Sequence, residues 1–353
     1  MSLISHYLHI SIDLDLRNAI IRLKEVLNRI FNILIIVLLF IGGFFMSKWI
    51  LIGIALLGLI YNVILMWRKM KQIRAMSETE FGCSGEELWQ SQKKHFWYNF
   101  ILAGIIANFF DTLGIGSFAP TSTYFKIGKS VDDVLVPGTL NVGDTVPVCV
   151  EAAAFFGLVD MDVLTLVTMI VSSVLGSYLM AGIVSKFDRK HVRYALFVGL
   201  FLLSVVMFMK WRGIGPFGEV GTAMGLRGIK LIIAIVVNFI LGGLMSIGVG
   251  LYAPCMALCA LLGLDVGCAF PAMMGSCAFL MAYGNGPKFI KEGRYDMNAC
   301  WAMALGGGLI GVPIAAWIVG SMPLYWLTLL VVVVCFLTSL LYLKDAIKKG
   351  SAI

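Results

Sequence analysis

The chain reads as an all-α polytopic membrane protein: two inverted repeats, each a re-entrant broken-helix hairpin plus three transmembrane helices, with an extra N-terminal helical hairpin. Three observations predict this. Of 353 residues, 60% are hydrophobic and 13% charged, with a mean hydropathy of +0.93, which lies outside the range of soluble domains. The apolar residues come in continuous runs of about 17 to 25, the length that crosses roughly 30 Å of hydrocarbon as helix, and this disfavours a β-barrel. The third observation is a duplication: TLGIGSFAP from Thr112 to Pro120 aligns without a gap to SIGVGLYAP from Ser246 to Pro254. Glycines and a proline, which weaken or break helices, thus recur inside two otherwise apolar runs.

In chain order, residues 1–29 lack the basic start, apolar core and small-residue cleavage site of a signal peptide, and read as an amphipathic cytoplasmic segment. Apolar runs follow near 30–46, 49–67, 98–126, 134–157, 162–185, 193–210, 229–263, 267–284, 297–319 and 323–343, with breaks inside 98–126 and 229–263. Residues 30–97 form the added hairpin and a basic cytoplasmic loop, 98–210 the first repeat, 211–228 an extracytoplasmic linker, 229–344 the second repeat and 345–353 a cytoplasmic tail. Trp49, Trp67, Trp97, Trp211 and Trp326 stand near run ends, where amphipathic rings prefer the headgroup level. Pro137 matches Pro271 at the offset of the breaks, and Gly157, Asp160 and Met161 match Gly293, Asp296 and Met297 two residues later.

Charge decides how the interrupted units run. If both crossed the bilayer fully, Lys126, Lys129, Lys186, Arg189, Lys190 and Arg193 would face outward and the acidic link 160–162 inward, against the positive-inside rule. If each unit enters, turns at its glycines and returns, then 68–95, 126–133, 186–193, 285–296 and the tail are all cytoplasmic. Only Arg212 and Arg227 then place positive charge outside. Each repeat crosses an odd number of times, so the two are inverted. The chain is expected in a cell membrane, a bacterial inner membrane, with both termini cytoplasmic. The formal charge of +7 reflects these orienting loops, and no nucleic-acid partner is expected. Seven of eight cysteines lie in apolar runs and Cys83 in a cytoplasmic loop, so structural disulfides are not expected.

Inverted repeats with discontinuous helices are the architecture of secondary transporters, whose sites lie where half-helices meet. The amides near Phe118 and Tyr252 begin new half-helices and carry partial positive charge suited to a small anion. Gly114, Gly116, Gly248 and Gly250 let a ligand approach the backbone, while Thr112, Ser117, Thr121, Thr139, Asn141, Ser246, Tyr252 and Ser276 are candidate donors to its oxygens. Each of these has a plainer role available, satisfying local backbone. Asp111 and Asp144, with Glu151 two turns beyond Asp144, are candidates to carry a coupling proton, because intramembrane carboxyls are costly. Against this stand a capping role for Asp111 and an interfacial place for Glu151. Another coupling ion, held by Asn141 and free carbonyls, remains open. Gly306, Gly308 and Gly311 match a dinucleotide fingerprint but have no strand before them, so helix packing is the better account. His6 and His9 have no companions for a metal site, and no cofactor is expected.

Over residues 98–344 the duplicated Gly-x-Gly…Pro signature, with VPGTLNVGDT at 136–145 and FPAMMGSCAF at 270–279, resembles the TauE/SafE family of sulfite-exporter-like permeases. The chain differs where Ser117 and Leu251 replace the family's third glycine, and in its extra hairpin. The resemblance implies transport of small sulfur-containing anions such as sulfite or organosulfonates, without catalysis. A membrane-embedded sulfur-transfer or assembly protein using Cys255, Cys268 or Cys277 is the alternative. Neither HExxH nor a Cys/His metal spacing supports an enzyme.

Overall fold

The computed structural model describes residues 48–79, 82–179, 189–214, 221–245 and 250–347, all within one compact unit. The amphipathic segment 1–29, the run 30–46, His6, His9, Lys186, Ser246, Gly248 and the end of the basic tail lie outside the described residues. The rest is helical apart from an isolated bridge between Ala223 and Leu264. Helix α1 is Lys48–Arg74 and α2 is Gly85–Lys93. Helix α3 covers 96–112, with its middle, Phe100–Ala107, wound as a π-helix, and α4 is Phe118–Gly128. Then come α5 (Val136–Gly143), α6 (Thr145–Leu158), α7 (Val163–Leu179), α8 (Arg189–Arg212), α9 (Gly228–Met245) and α10 (Tyr252–Leu262). Helix α11 covers 269–292, α12 is Met297–Gly320, and α13 is Leu324–Ile347.

Among the described residues four helices, Lys48–Arg74, Gly228–Met245, Met297–Gly320 and Tyr325–Lys344, are long and apolar enough to cross a membrane. Their outward faces are apolar too. Leu57, Ile60, Ile229, Ile232, Leu309 and Trp317 are exposed in helical stripes, an arrangement compatible with lipid as the solvent and costly in water.

The first glycine break divides α3 from α4, and α10 starts at Tyr252 after the non-helical Gly250 and Leu251, while 246–249 lie outside the described residues. The new helices begin at Phe118 and Tyr252, so Pro120 and Pro254 fall in first turns, where no amide donor is missed. A third discontinuity was not expected. The run 134–157 is parted at Asp144 between α5 and α6. Its cause is Pro147, which has no N–H to offer the Gly143 carbonyl four residues earlier.

Packing is close wherever glycines face backbone. Side chains at Gly176 and Gly242 would strike the carbonyls of Phe239 and Ser173, so α7 and α9 touch backbone to backbone. The π-wound parts of α3 and α12 meet in the same way: Gly306 lies against the Phe100 carbonyl and Gly311 against that of Ile105. The dinucleotide-like spacing therefore serves helix packing.

The two ends of α1 organise what surrounds them. At the Arg74 end, Met66, Ile73, Val142, Ile290, Tyr295, Met297 and Cys300 form one apolar cluster. Helix α2 docks there: it opens with a Ser84/Glu87 capping box, its Gln92 accepts from the Met297 amide at 3.1 Å, and Arg74 pairs with Glu86 at 2.7 Å. At the other end Lys48 pairs with Asp160 at 2.7 Å. Beside it, Arg227 donates twice to Asp162, at 2.8 Å each, and Thr165 exchanges hydrogen bonds with the Leu226 backbone. The Arg227 guanidinium holds the Asp162 carboxyl down to about 2.

Each interrupted pair closes on itself. The Tyr98 hydroxyl donates to the Tyr124 carbonyl at 2.9 Å, so the start of α3 meets the end of α4. Lys230 lies 3.6 Å from where a Gly263 side chain would begin, so the start of α9 meets the end of α10. The first junction adjoins α2 and the Arg74 end of α1. The second adjoins Asp160 and the Lys48 end through the 223–227 and 263–268 backbone. With 27 residues in α1, the two ends are about 40 Å apart.

Candidate functional site

The first break is built from Asp111 outward. The Asp111 carbonyl accepts from the Gly114 amide at 2.7 Å and the Phe110 carbonyl from Ile115 at 3.2 Å, which ends the helix. Gly114 and Gly116 then take φ of +95° and +91°, a region closed to most side chains, and α4 restarts at Phe118. The Asp111 carboxylate accepts from the Ser117 amide at 2.7 Å. A carboxylate of the chain itself therefore sits at the positive end of α4. The Ser117 hydroxyl donates to Asp144 at 2.9 Å.

Glu151 ties the two breaks together. It accepts from the Thr112 hydroxyl at 2.7 Å and, on its other oxygen, from the Tyr252 hydroxyl. Tyr252 is the first residue of α10, so one carboxyl on α6 holds the end of α3 and the start of the half-helix after the second break. The Glu151 side chain is fully buried within the protein. The breaks also touch directly: a side chain on Gly114 would meet Met256 of α10 and Met273 of α11. From α13, Thr338 donates to the Ile115 carbonyl at 3.4 Å and Tyr342 to that of Gly250 at 3.1 Å. Open space lies alongside. Among the described residues, a side chain on Gly116 would meet nothing within 4 Å, and one on Gly250 only the Tyr342 hydroxyl at 3.7 Å.

The structure thus gathers Asp111, Thr112, Gly114, Gly116, Ser117, Asp144, Glu151, Gly250 and Tyr252 around one junction, while Thr121 lies one turn beyond Ser117 on α4 and Asn141 donates to the Pro137 carbonyl within α5. Two residues read from sequence lie elsewhere. Thr139 donates to the Leu135 carbonyl and accepts from the Asp296 amide at 2.9 Å, joining α5 to the start of α12. Ser276 accepts from Asn238 at 2.9 Å and its carbonyl from Ser173, within the packing of α7, α9 and α11. Asn108 was missed. It stands beside Asp144, and its place four residues before Thr112, on the same face, was the available signal.

Electrostatically the junction is acidic. Asp111, Asp144 and Glu151 are all buried, and among the described residues no lysine, arginine or histidine is buried with them. Among the described residues, no three of His, Cys, Asp and Glu converge to hold a metal ion. All eight cysteines are free thiols. Of the three named for sulfur transfer, Cys277 faces Met245 and lies near both Cys255 and the acidic junction, Cys255 sits beside Cys259, and Cys268 stands apart, facing the Asp160 carbonyl near the Lys48 end. Comparison with known proteins returned no match: no family model, no curated protein and no solved structure matches this chain.

Proposed function

We propose that this protein is a multi-pass secondary transporter of small anions, working by alternating access around the two glycine breaks. One observation carries the reading: two discontinuous helices, each folding back on itself from opposite ends of α1, bring their breaks together on Glu151. Non-helical backbone at such depth is tolerated where it lines a cavity, and paired broken helices from inverted repeats form the sites of secondary transporters. The opposed junctions at Tyr98 and Lys230 support the inverted arrangement, with 68–95 and 285–296 on the cytoplasmic side of an inner membrane. The outward-facing Arg227 is consistent with this orientation, because Asp162 neutralises it.

The sulfur-anion class follows from the resemblance to TauE/SafE permeases. The acidity of the junction bears on mechanism. An anion cannot enter beside three buried carboxyls unless their charge is balanced, since no basic side chain among the described residues is buried there. Cations must therefore accompany the anion, as protons or metal ions on Asp144 and Asp111. Rocking of one repeat against the other would expose the open space beside Gly116 and Gly250 to each side in turn.

The test is uptake of labelled sulfite and of an alkanesulfonate into proteoliposomes carrying the full chain. Saturable uptake above protein-free liposomes, lost in Gly250→Val, is the expected result. Uptake of neither anion in either direction of gradient refutes the assignment.

A further inference from the structure

The Thr112 hydroxyl at the first break has one hydrogen and two acceptors in reach. It stands 2.7 Å from Glu151 Oε1 and 2.9 Å from the Asn108 carbonyl oxygen one turn back on α3. Both distances are those of full O–H···O hydrogen bonds, and a hydroxyl has one hydrogen to give but two lone pairs to accept with. The hydrogen therefore serves one acceptor at a time. On the other side of Glu151 there is no such choice. The Tyr252 hydroxyl has Glu151 Oε2 as its one hydrogen-bond partner among the described residues, and donates to it.

Two complete hydrogen-bond settings follow without moving a heavy atom. In the first, Thr112 and Tyr252 both donate and Glu151 is an ionised carboxylate, which only accepts. In the second, Thr112 turns its hydrogen about the Cβ–Oγ1 bond to the Asn108 carbonyl, and Glu151 carries a proton on Oε1 that donates to Thr112 Oγ1. A proton on Oε2 would serve less well, since Tyr252 would then accept and its own hydrogen would lose its partner among the described residues. Every polar atom of the set is answered in either setting, so the tie between α3, α6 and α10 survives the change of charge. The change itself is one proton gained from water, with no bond between heavy atoms formed or broken.

The surroundings give this change a use. The titratable groups that bear on Glu151 are Asp111 on α3, Asp144 just ahead of α6, Tyr252 on α10, Cys277 on α11 and, on its own helix, Cys149. None of them is a cation. Helices α1 and α12 also pack on α6, with no lysine, arginine or histidine buried among the described residues, and Asp296, the buried acid of α12, caps its own helix instead. A buried carboxylate with no cation beside it is costly, and a proton removes that charge at its source. We propose that Glu151 takes up and releases the coupling proton, with Thr112 as the hydroxyl that reorients and Tyr252 as the fixed donor. Glu151 thereby joins Asp144 and Asp111 as a place where the charge of an entering anion is offset. The coupling role rests on the transporter reading, but proton binding does not depend on it.

The experiment is infrared difference spectroscopy of the purified full chain in detergent, between mildly alkaline and mildly acidic buffer, read at the stretch of the protonated carboxyl. A band that rises in acid is expected, lost in Glu151→Gln, moved to higher wavenumber in Tyr252→Phe because the carbonyl oxygen loses its donor, moved in Thr112→Val and returned to place in Thr112→Ser. Glutamine copies the protonated setting, with its NH₂ toward Thr112 and its carbonyl toward Tyr252, so this variant should keep the wild-type unfolding midpoint. Should it fail to fold, the shifts in Tyr252→Phe and Thr112→Val carry the test. No acid-induced band in the wild type overturns the proton site, and so does a band undiminished in Glu151→Gln or unmoved in both other variants. The expected bands without anion uptake into proteoliposomes uphold the site and refute the transporter reading. Anion accumulation driven by a pH gradient equally in wild type and Glu151→Gln overturns the coupling role and leaves the transporter reading standing.

Discussion

Asp162 and Asp144 are the same residue type in opposite circumstances. Asp162 stands at the head of α7 with the Arg227 guanidinium on both its oxygens and two hydrogen bonds from Thr165. Every lone pair that matters is answered from within the chain. Asp144 is sealed in the interior with polar but uncharged neighbours, the Ser117 hydroxyl and the Asn108 side chain. A half-buried carboxylate with its own exposed cation is complete and adds a modest amount to stability. A buried one without a cation is incomplete, and its balance must come from outside the chain. The contrast teaches where to look for work in this molecule.

The sharpest way to break this comparison is to neutralise each carboxyl in turn. Asp144→Asn should uncouple anion accumulation from the driving ion gradient, lowering gradient-driven uptake in proteoliposomes by about 5- to 150-fold, the span of ordinary coupling energies. Asp162→Asn should leave accumulation intact. Equal loss in both would erase the distinction.

Next in size are the two breaks. Gly250→Val projects into space that, among the described residues, is bounded by Tyr342 alone, so it should weaken anion binding by about tenfold or more through overpacking of the ligand's place, with thermal stability nearly unchanged. Gly114→Ala meets Met256 and carries a positive φ, so it should destabilise the fold by about 1–3 kcal/mol. Thermal unfolding of both variants beside anion affinity separates a ligand wall from a packing wall.

Tyr252→Phe removes one of the two donors to Glu151. The expected cost is about 1–3 kcal/mol, read as a lower midpoint of thermal unfolding. An unchanged midpoint would mean that the tie between the breaks contributes nothing.

The smallest effect belongs to the outer pair. Arg227→Ala should cost about 0.2–1 kcal/mol, discounted because the guanidinium is exposed. Its pH dependence has a definite sign. Asp162 is held down to about 2, below its unfolded value near 4, so the pair's contribution is full above roughly pH 4 and fades as pH falls through about 2. Stability measured between pH 5 and pH 2.5 should therefore converge for wild type and Arg227→Ala, and a widening gap would contradict the pairing.

Much of the architecture is legible in residue order because lipid leaves the backbone few choices. Run lengths locate the spans, the glycine pairs locate the breaks, and proline positions fix where α4 and α10 restart, all through local backbone chemistry. Asp111, Ser117 and Asp144 were also readable as candidates, since polar groups in apolar runs announce themselves. Less visible was the interruption at Asp144, although Pro147 three residues later supplies its cause.

What residue order could not decide is which distant groups meet. Thr139 and Asn141 are two positions apart on α5, yet one joins α12 and the other donates to the Pro137 carbonyl within α5, because nearby helical residues face different neighbours. Nothing local distinguishes Ser276, held by Asn238 and Ser173, from Thr121, left without a partner. Glu151 became the link between the breaks only when α6 was packed between α3 and α10. Spacing along the chain determined the helices and their breaks, which depend on nearest-neighbour chemistry. Tertiary packing alone determined which polar atoms find partners within the chain, since that depends on contacts between segments about a hundred residues apart, such as Tyr252 and Glu151.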